Sequence, residues 1–186
     1  MNPEKREVRE ALVAEQHHVC IYCGKRITAA FRSSHIEHFR PQSIHSNQRF
    51  DWPNLFASCG PIGQTNVPEV CGGAKRNWDP AAKAHIEPTD AGCEQRFAYD
   101  GNGAIFITTD DDTGAQTMID TLNLDDHTLA FERFVIISDL ETRIGNGSID
   151  AANKAAEIAL WREVDADGRL KGYGHIAARY LDDQSL

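Results

Sequence analysis

The sequence predicts a mixed α+β fold, and three observations carry that prediction. Ser34–Phe39 alternates polar and apolar residues with the period of two expected of a short strand. Two further alternating segments, 96–99 and 104–108, flank Asp100-Gly101-Asn102-Gly103, the turn chemistry of a β-hairpin. From about Thr121 the apolar residues recur at helical spacing instead. At 186 residues the chain can bury a core as one domain or as a compact module with a helical extension. Its 41% hydrophobic and 25% charged residues are ordinary globular composition.

Taken in order, residues 4–18 read as a helix: Val8, Ala11 and Leu12 share a face, and acidic residues sit in the first turns, where the helix dipole favours them. It would pack on the core, act as a lid, or offer a docking surface. Cys20-Ile-Tyr-Cys23-Gly24 follows. Two residues between thiolates let one turn aim both sulfurs at a tetrahedral ion, and Gly24 permits the positive φ such turns use. Cys59 and Cys71 supply a second pair across eleven residues containing Gly60, Pro61, Gly63 and Pro68, which read as a loop. Two readings stand for these four cysteines: one structural zinc site, or two pairs of buried thiols. Cys93 reads as a free thiol. Five cysteines in a reducing compartment point to ligands or thiols rather than disulfides.

Within the strand, His35 and Glu37 share one face and Ile36 takes the other; Pro41 then closes it. Glu37 and His38 therefore lie at a strand end beside a loop. A carboxylate there suits Mg²⁺ or Mn²⁺, and an imidazole titrating near neutral pH suits a general base that activates water. The competing reading is a solvated strand end. Asp51-Trp-Pro-Asn54-Leu55 comes next, and the Asn54 amide is expected to pin the loop that carries His38. A second strand begins at Leu55 and Phe56. After Cys71 a short helix is expected, with Lys75, Arg76 and Asn77 one turn in and Asp79-Pro80 ending or kinking it.

Beyond the hairpin, Asp110-Asp111-Asp112 reads as a solvated acidic loop rather than a metal site, because such sites need defined ligand spacing. Leu129, Phe131, Phe134, Ile137 and Leu140 form the apolar stripe of a helix, with Arg133 and Glu141 on its polar side. Ser148 is the expected N-cap of another helix through Trp161, and a last short helix spans 175–181. His85, His127 and His175 match no motif and read as surface or capping residues. This part has no catalytic signature and reads as a packing and partner-docking extension. The expected organisation is an N-terminal helix (1–19), a cysteine-braced core (20–80) and an extension (81–186).

The net charge of −9 is unevenly spread. Residues 1–80 carry ten Lys and Arg against eight Asp and Glu, whereas 81–186 carry nine against twenty. A balance of +2 is far from a free-standing nucleic-acid binder, so a nucleic-acid substrate would need a partner for phosphate affinity. No run approaches the roughly 20 apolar residues of a membrane span. The N-terminus, MNPEKREVREA, is charged where a signal peptide would be apolar, and the expected location is the cytoplasm.

CIYCG, HIEHFRP, DWPNL and CGGAK, in this order, resemble the HNH endonucleases of the ββα-metal class. The likeness is strongest to the HNH nuclease subunit of Septu-type and retron-associated anti-phage defence systems. It covers residues 20–79 and extends, less densely, to about residue 134. The resemblance implies a ββα-metal core in which Glu37 is a ligand to a catalytic Mg²⁺ or Mn²⁺ and His38 is the general base. It also implies that Asn54 orients that base, that Cys20, Cys23, Cys59 and Cys71 hold structural Zn²⁺, and that Lys75 contacts phosphate, with Arg40 alongside. It implies an ABC/SMC-like ATPase partner as well. One position departs: where the family has His or Asn after the last cysteine, this chain has Gly72. Asn77, then Asp79, are the expected substitutes for the missing ligand. The alternative is a zinc-binding adaptor that keeps the fold without the chemistry.

Overall fold

A computed structural model describes residues 3–60 and 69–186. The fold is a mixture of six helices and two small antiparallel sheets among the described residues. Helix α1, Pro3–Glu15, buries Leu12 and Val13 and ends where His17 and His18 adopt positive φ. Just past it, the Gln16 side chain clamps the free edge of a strand. Its Oε1 accepts from Ala57 N at 2.7 Å and its Nε2 donates to Ala57 O at 2.8 Å. That side chain does for an edge strand what a neighbouring strand would do.

Strand β1, Ser34–His38, pairs with β2, Leu55–Cys59, in the register His35↔Ser58, Glu37↔Phe56 and His38↔Leu55. Every residue of β2 is buried, so the hairpin is an interior element. Helix α2, Gly72–Lys75, follows Cys71 and is a single turn. It ends at Lys75 because Arg76 takes a positive φ, so Arg76 and Asn77 lie beyond it. Most of the segment between Cys59 and Cys71, read from sequence as a loop, lies outside the described residues.

The second sheet matches its sequence signal: β3, Phe97–Tyr99, pairs with β4, Ile105–Ile107. The acidic run is only partly a solvated loop. Asp110 and Asp111 are exposed, but Asp112 caps helix α3, Thr113–Leu122, by accepting from Ala115 N at 2.9 Å. Arg96 reinforces this cap through both oxygens of Asp112, whose carboxyl is thereby held down at about 2.

Helix α4, His127–Gly145, corrects the expected stripe. Leu129, Ile137 and Leu140 are buried as expected, but Phe131 and Phe134 face solvent and Arg133 is 1% exposed. Arg133 turns inward because its guanidinium answers two carbonyls, donating from Nε to Gly103 O at 2.5 Å and from Nη1 to Leu124 O at 2.8 Å. The next helix also differs. It is α5, Lys154–Arg162, and Ser148 does not cap it; an Asp150 turn and Asn153 precede it instead. Helix α6, Gly174–Asp183, packs against α4, α5 and β3. One hydrophobic core runs from Leu12 and Val13 through Phe39, Leu55 and Phe56 to Ile137, Ile176 and Leu181. No helix among the described residues is long and apolar enough to cross a membrane.

Candidate active site and four-cysteine cluster

The sulfur cluster is built first, because the rest hangs from it. The Cys20–Cys23 turn closes with Gly24 N donating to Cys20 O at 3.0 Å, and Gly24 holds φ +70. Cys59 ends β2, and Cys71 enters α2 with φ +55, a left-handed conformation that costs a side-chain-bearing residue about 1–3 kcal/mol. All four are buried, and their sulfurs lie within 4.8 Å of one another. Cys23 Sγ and Cys59 Sγ are 3.8 Å apart. Sulfurs about 2.3 Å from a tetrahedral zinc would stand about 3.8 Å apart.

Electrostatics tell the same story. Burial opposes ionisation of Cys20, but contacts from Cys23, Cys59 and Cys71 outweigh it and hold that thiol well below its ordinary range. The Cys20 contact in turn pushes Cys23 and Cys71 well above theirs. One thiolate among thiols is as much negative charge as a dry cluster sustains; a divalent cation would let the others ionise. These four buried cysteines can hold a metal such as zinc. Cys93 lies outside the cluster, and burial raises its thiol to about 11. His175 is a correction to the surface reading: its imidazole packs against Gly24, where a Cβ would stand 2.1 Å from Cε1.

Next to the cluster, on the face of β1 that also carries His35, lies Glu37, 5% exposed. Lys75 Nζ sits 2.9 Å from its Oε1, and Tyr22 OH donates to the same oxygen at 3.3 Å. Oε2 faces His35 Nε2 at 3.5 Å. Burial and the Glu37 charge push the Tyr22 hydroxyl well above its ordinary range, so it remains a donor. Burial likewise disfavours charge on His35, but Glu37 and the Gly60 carbonyl outweigh this and raise it.

His38 points elsewhere. As the next residue on the strand it takes the opposite face, half-buried, and its Nε2 lies 3.1 Å from Arg49 O. A carbonyl only accepts, so Nε2 carries the proton and Nδ1 keeps the lone pair of a base. The loop just before Arg49 is held by the Asn54 side chain. Its Oδ1 accepts from Arg40 N at 2.7 Å, while Nδ2 donates to Arg40 O at 3.0 Å and Gln48 O at 3.2 Å. One buried amide thus ties the strand exit to the loop beneath the imidazole. This is the loop-pinning expected of Asn54 from sequence.

The remaining candidates are placed less simply. Lys75 is not at the surface: its side chain is 1% exposed and paired with Glu37, a contact different from the phosphate expected of it. Arg40 Nη2 pairs with Glu87 at 2.5 Å. Asn77 is exposed beyond α2, and Asp79 caps the next turn through Ala81 N and pairs with His45 at 3.0 Å. No contact among the described residues brings either to Glu37. The sequence reading missed His35, Tyr22 and Ser58 as members of this neighbourhood. Strand alternation already put His35 beside Glu37, but Tyr22 and Ser58 carry no local signal; they arrive through the register and the cysteine turn.

No family model matches the chain. A curated protein from Vibrio cholerae serotype O1 biovar El Tor, named "Retron Vc95 putative HNH endonuclease", is 30% identical over 136 residues. The similarity supports an HNH endonuclease family. It covers 69% of this chain and 62% of that protein, so the chain spans less than two thirds of its relative's length.

Proposed function

We propose that the chain is a metal-dependent HNH endonuclease with a ββα-metal core, hydrolysing phosphodiester bonds of nucleic acid. The observation that carries this is the Asn54 amide bracing the loop whose Arg49 carbonyl holds the His38 ring. A strand-end imidazole held at one nitrogen presents its other nitrogen, Nδ1, to accept a proton from an attacking water. Glu37 offers Oε2, its Oε1 being held by Lys75 and Tyr22. Mg²⁺ or Mn²⁺ on Glu37 would supply stabilisation of the charge developing on the phosphate and leaving oxygens. The cysteine cluster is structural zinc, since four thiolates leave no open position for substrate.

The effector role belongs to the same reading: a nuclease of an anti-phage defence system of the Septu or retron type, acting in the cytoplasm with an ABC/SMC-like ATPase. The relative's name supports the retron setting, and the weak basic balance of residues 1–80 supports reliance on a partner for phosphate affinity. The test is cleavage of DNA and RNA with Mg²⁺ or Mn²⁺, with and without that ATPase. His38→Ala is expected to abolish cleavage while zinc content is unchanged; undiminished cleavage by His38→Ala would sink the assignment. One observation favours the second reading, a zinc-binding adaptor without activity: Lys75 already neutralises Glu37. That reading predicts no cleavage by wild type under any of these conditions.

A further inference from the structure

The departure at Gly72 has a physical explanation on the opposite strand. A Cβ built on Gly72 would stand 2.5 Å from His35 Nε2 and 2.6 Å from Glu37 Oε2. The space that a ligand side chain at position 72 would need is therefore already filled, by an imidazole and a carboxylate. Any residue but glycine there would expel one of them.

His35 is set up as a ligand. Its Nδ1 lies 2.7 Å from Gly60 O, which can only accept, so Nδ1 carries a proton, and in the neutral ring that a metal ion would hold Nε2 bears the lone pair. This is how a carbonyl fixes the tautomer of a metal-ligating histidine. Nε2 is fully enclosed and has no hydrogen-bond partner. It faces Glu37 Oε2 across 3.5 Å, too far for a good hydrogen bond but within the spread of two atoms each about 2.0–2.2 Å from one ion. Glu37 is prevented from turning away by Lys75 and Tyr22 on its other oxygen.

We propose that His35 Nε2 and Glu37 Oε2 together hold the catalytic-site divalent cation, so that the strand supplies the ligand the helix lacks and Gly72 is the cradle that admits it. This rests on the nuclease reading and sharpens it, because a nitrogen donor changes which ion is preferred. Carboxylate and water suit Mg²⁺, whereas imidazole favours first-row transition ions. The site takes Mn²⁺ in preference to Mg²⁺.

The experiment is Mn²⁺ titration of the zinc-loaded full chain, followed by the electron paramagnetic resonance signal of free Mn²⁺, with zinc content confirming the fold of each variant. Wild type is expected to bind one ion at this site and to show nitrogen hyperfine coupling on it. His35→Ala should bind at least tenfold more weakly and lose the coupling, and Glu37→Gln should also lose binding. Asn77→Ala should bind as wild type does. Should His35→Ala fold poorly, the wild-type spectrum decides alone: bound Mn²⁺ without nitrogen coupling overturns the inference. Undiminished binding by His35→Ala with loss in Glu37→Gln overturns this inference and leaves the nuclease reading standing. Undiminished binding in both removes the metal site on which that reading depends.

Discussion

Replacing Asn54 with Asp changes one group at almost constant shape, and the structure fixes what that change should cost. Oδ1 would still accept from Arg40 N, but the two N–H donors to Arg40 O and Gln48 O would become a carboxylate oxygen facing two carbonyls at 3.0 and 3.2 Å. Two hydrogen bonds worth about 0.5–1.5 kcal/mol each are lost, and their acceptors, beside a residue only 3% exposed, add about 1–3 kcal/mol more. The expected loss is about 3–5 kcal/mol near neutral pH. The sign with pH follows from the same contacts. Burial and carbonyl oxygens raise the folded-state pKa of the new carboxyl above its unfolded value near 3.9. The variant is therefore closest to wild type at low pH, where the protonated carboxyl can donate, and the deficit grows as pH rises through that folded value. Urea denaturation at several pH values measures it, with cleavage read in parallel. Cleavage should fall at least tenfold, because the Arg49 carbonyl no longer holds His38. A loss under about 1 kcal/mol at pH 7 would refute the bracing role assigned to this amide.

Three further outcomes are expected. Elemental analysis of reduced protein should give about one zinc per chain, and Cys71→Ser should lose it together with cooperative unfolding, since structural zinc contributes folding energy directly. His175, packed on Gly24, has its pKa lowered to about 4 by burial, with Arg162 adding to the effect. A depressed histidine contributes stability that is complete above about 6.5 and lost as pH falls toward 4, up to about 3 kcal/mol; His175→Leu should flatten that part of the acid-denaturation profile. Arg133→Met should cost about 2–4 kcal/mol in urea melts, because it strands the Gly103 and Leu124 carbonyls.

What the sequence made legible was whatever is local. The CxxC turn, the β1 alternation, the Asn-Gly-rich hairpin turn and the Asn54 amide are each decided within a few residues, and each is found where its chemistry predicts. The misses share one cause. Arg133 looked like a polar-face residue because helical periodicity does not reveal a carbonyl arriving from a turn thirty residues away. Asp112 looked like loop charge because the two aspartates before it hid an N-cap. His175 carried no motif, because its packing against Gly24 joins positions 151 residues apart in the chain. Lys75 showed its charge in the sequence but not its burial, which its pairing with Glu37 on β1 determines.

The two candidate sites are less separate than their chemistries suggest, and Ser58 is why. It is fully buried on β2, opposite His35 in the register. Its hydroxyl lies 3.8 Å from Cys20 Sγ on one side and accepts from Gly72 N at 3.1 Å on the other. Gly72 is the residue whose bareness leaves room for His35 and Glu37, so its backbone position sets the width of that space. Cys71, one residue earlier, is held in a left-handed conformation that a bare chain would relax. A metal on the four sulfurs therefore fixes Cys71, Cys71 and Ser58 fix Gly72, and Gly72 fixes the gap between the imidazole and the carboxylate. Stripping zinc should widen the second site before the core unfolds, so loss of Mn²⁺ affinity should precede loss of helical signal during chelation. On the proposed reading the cysteines do more than hold the fold: they set the spacing between His35 and Glu37.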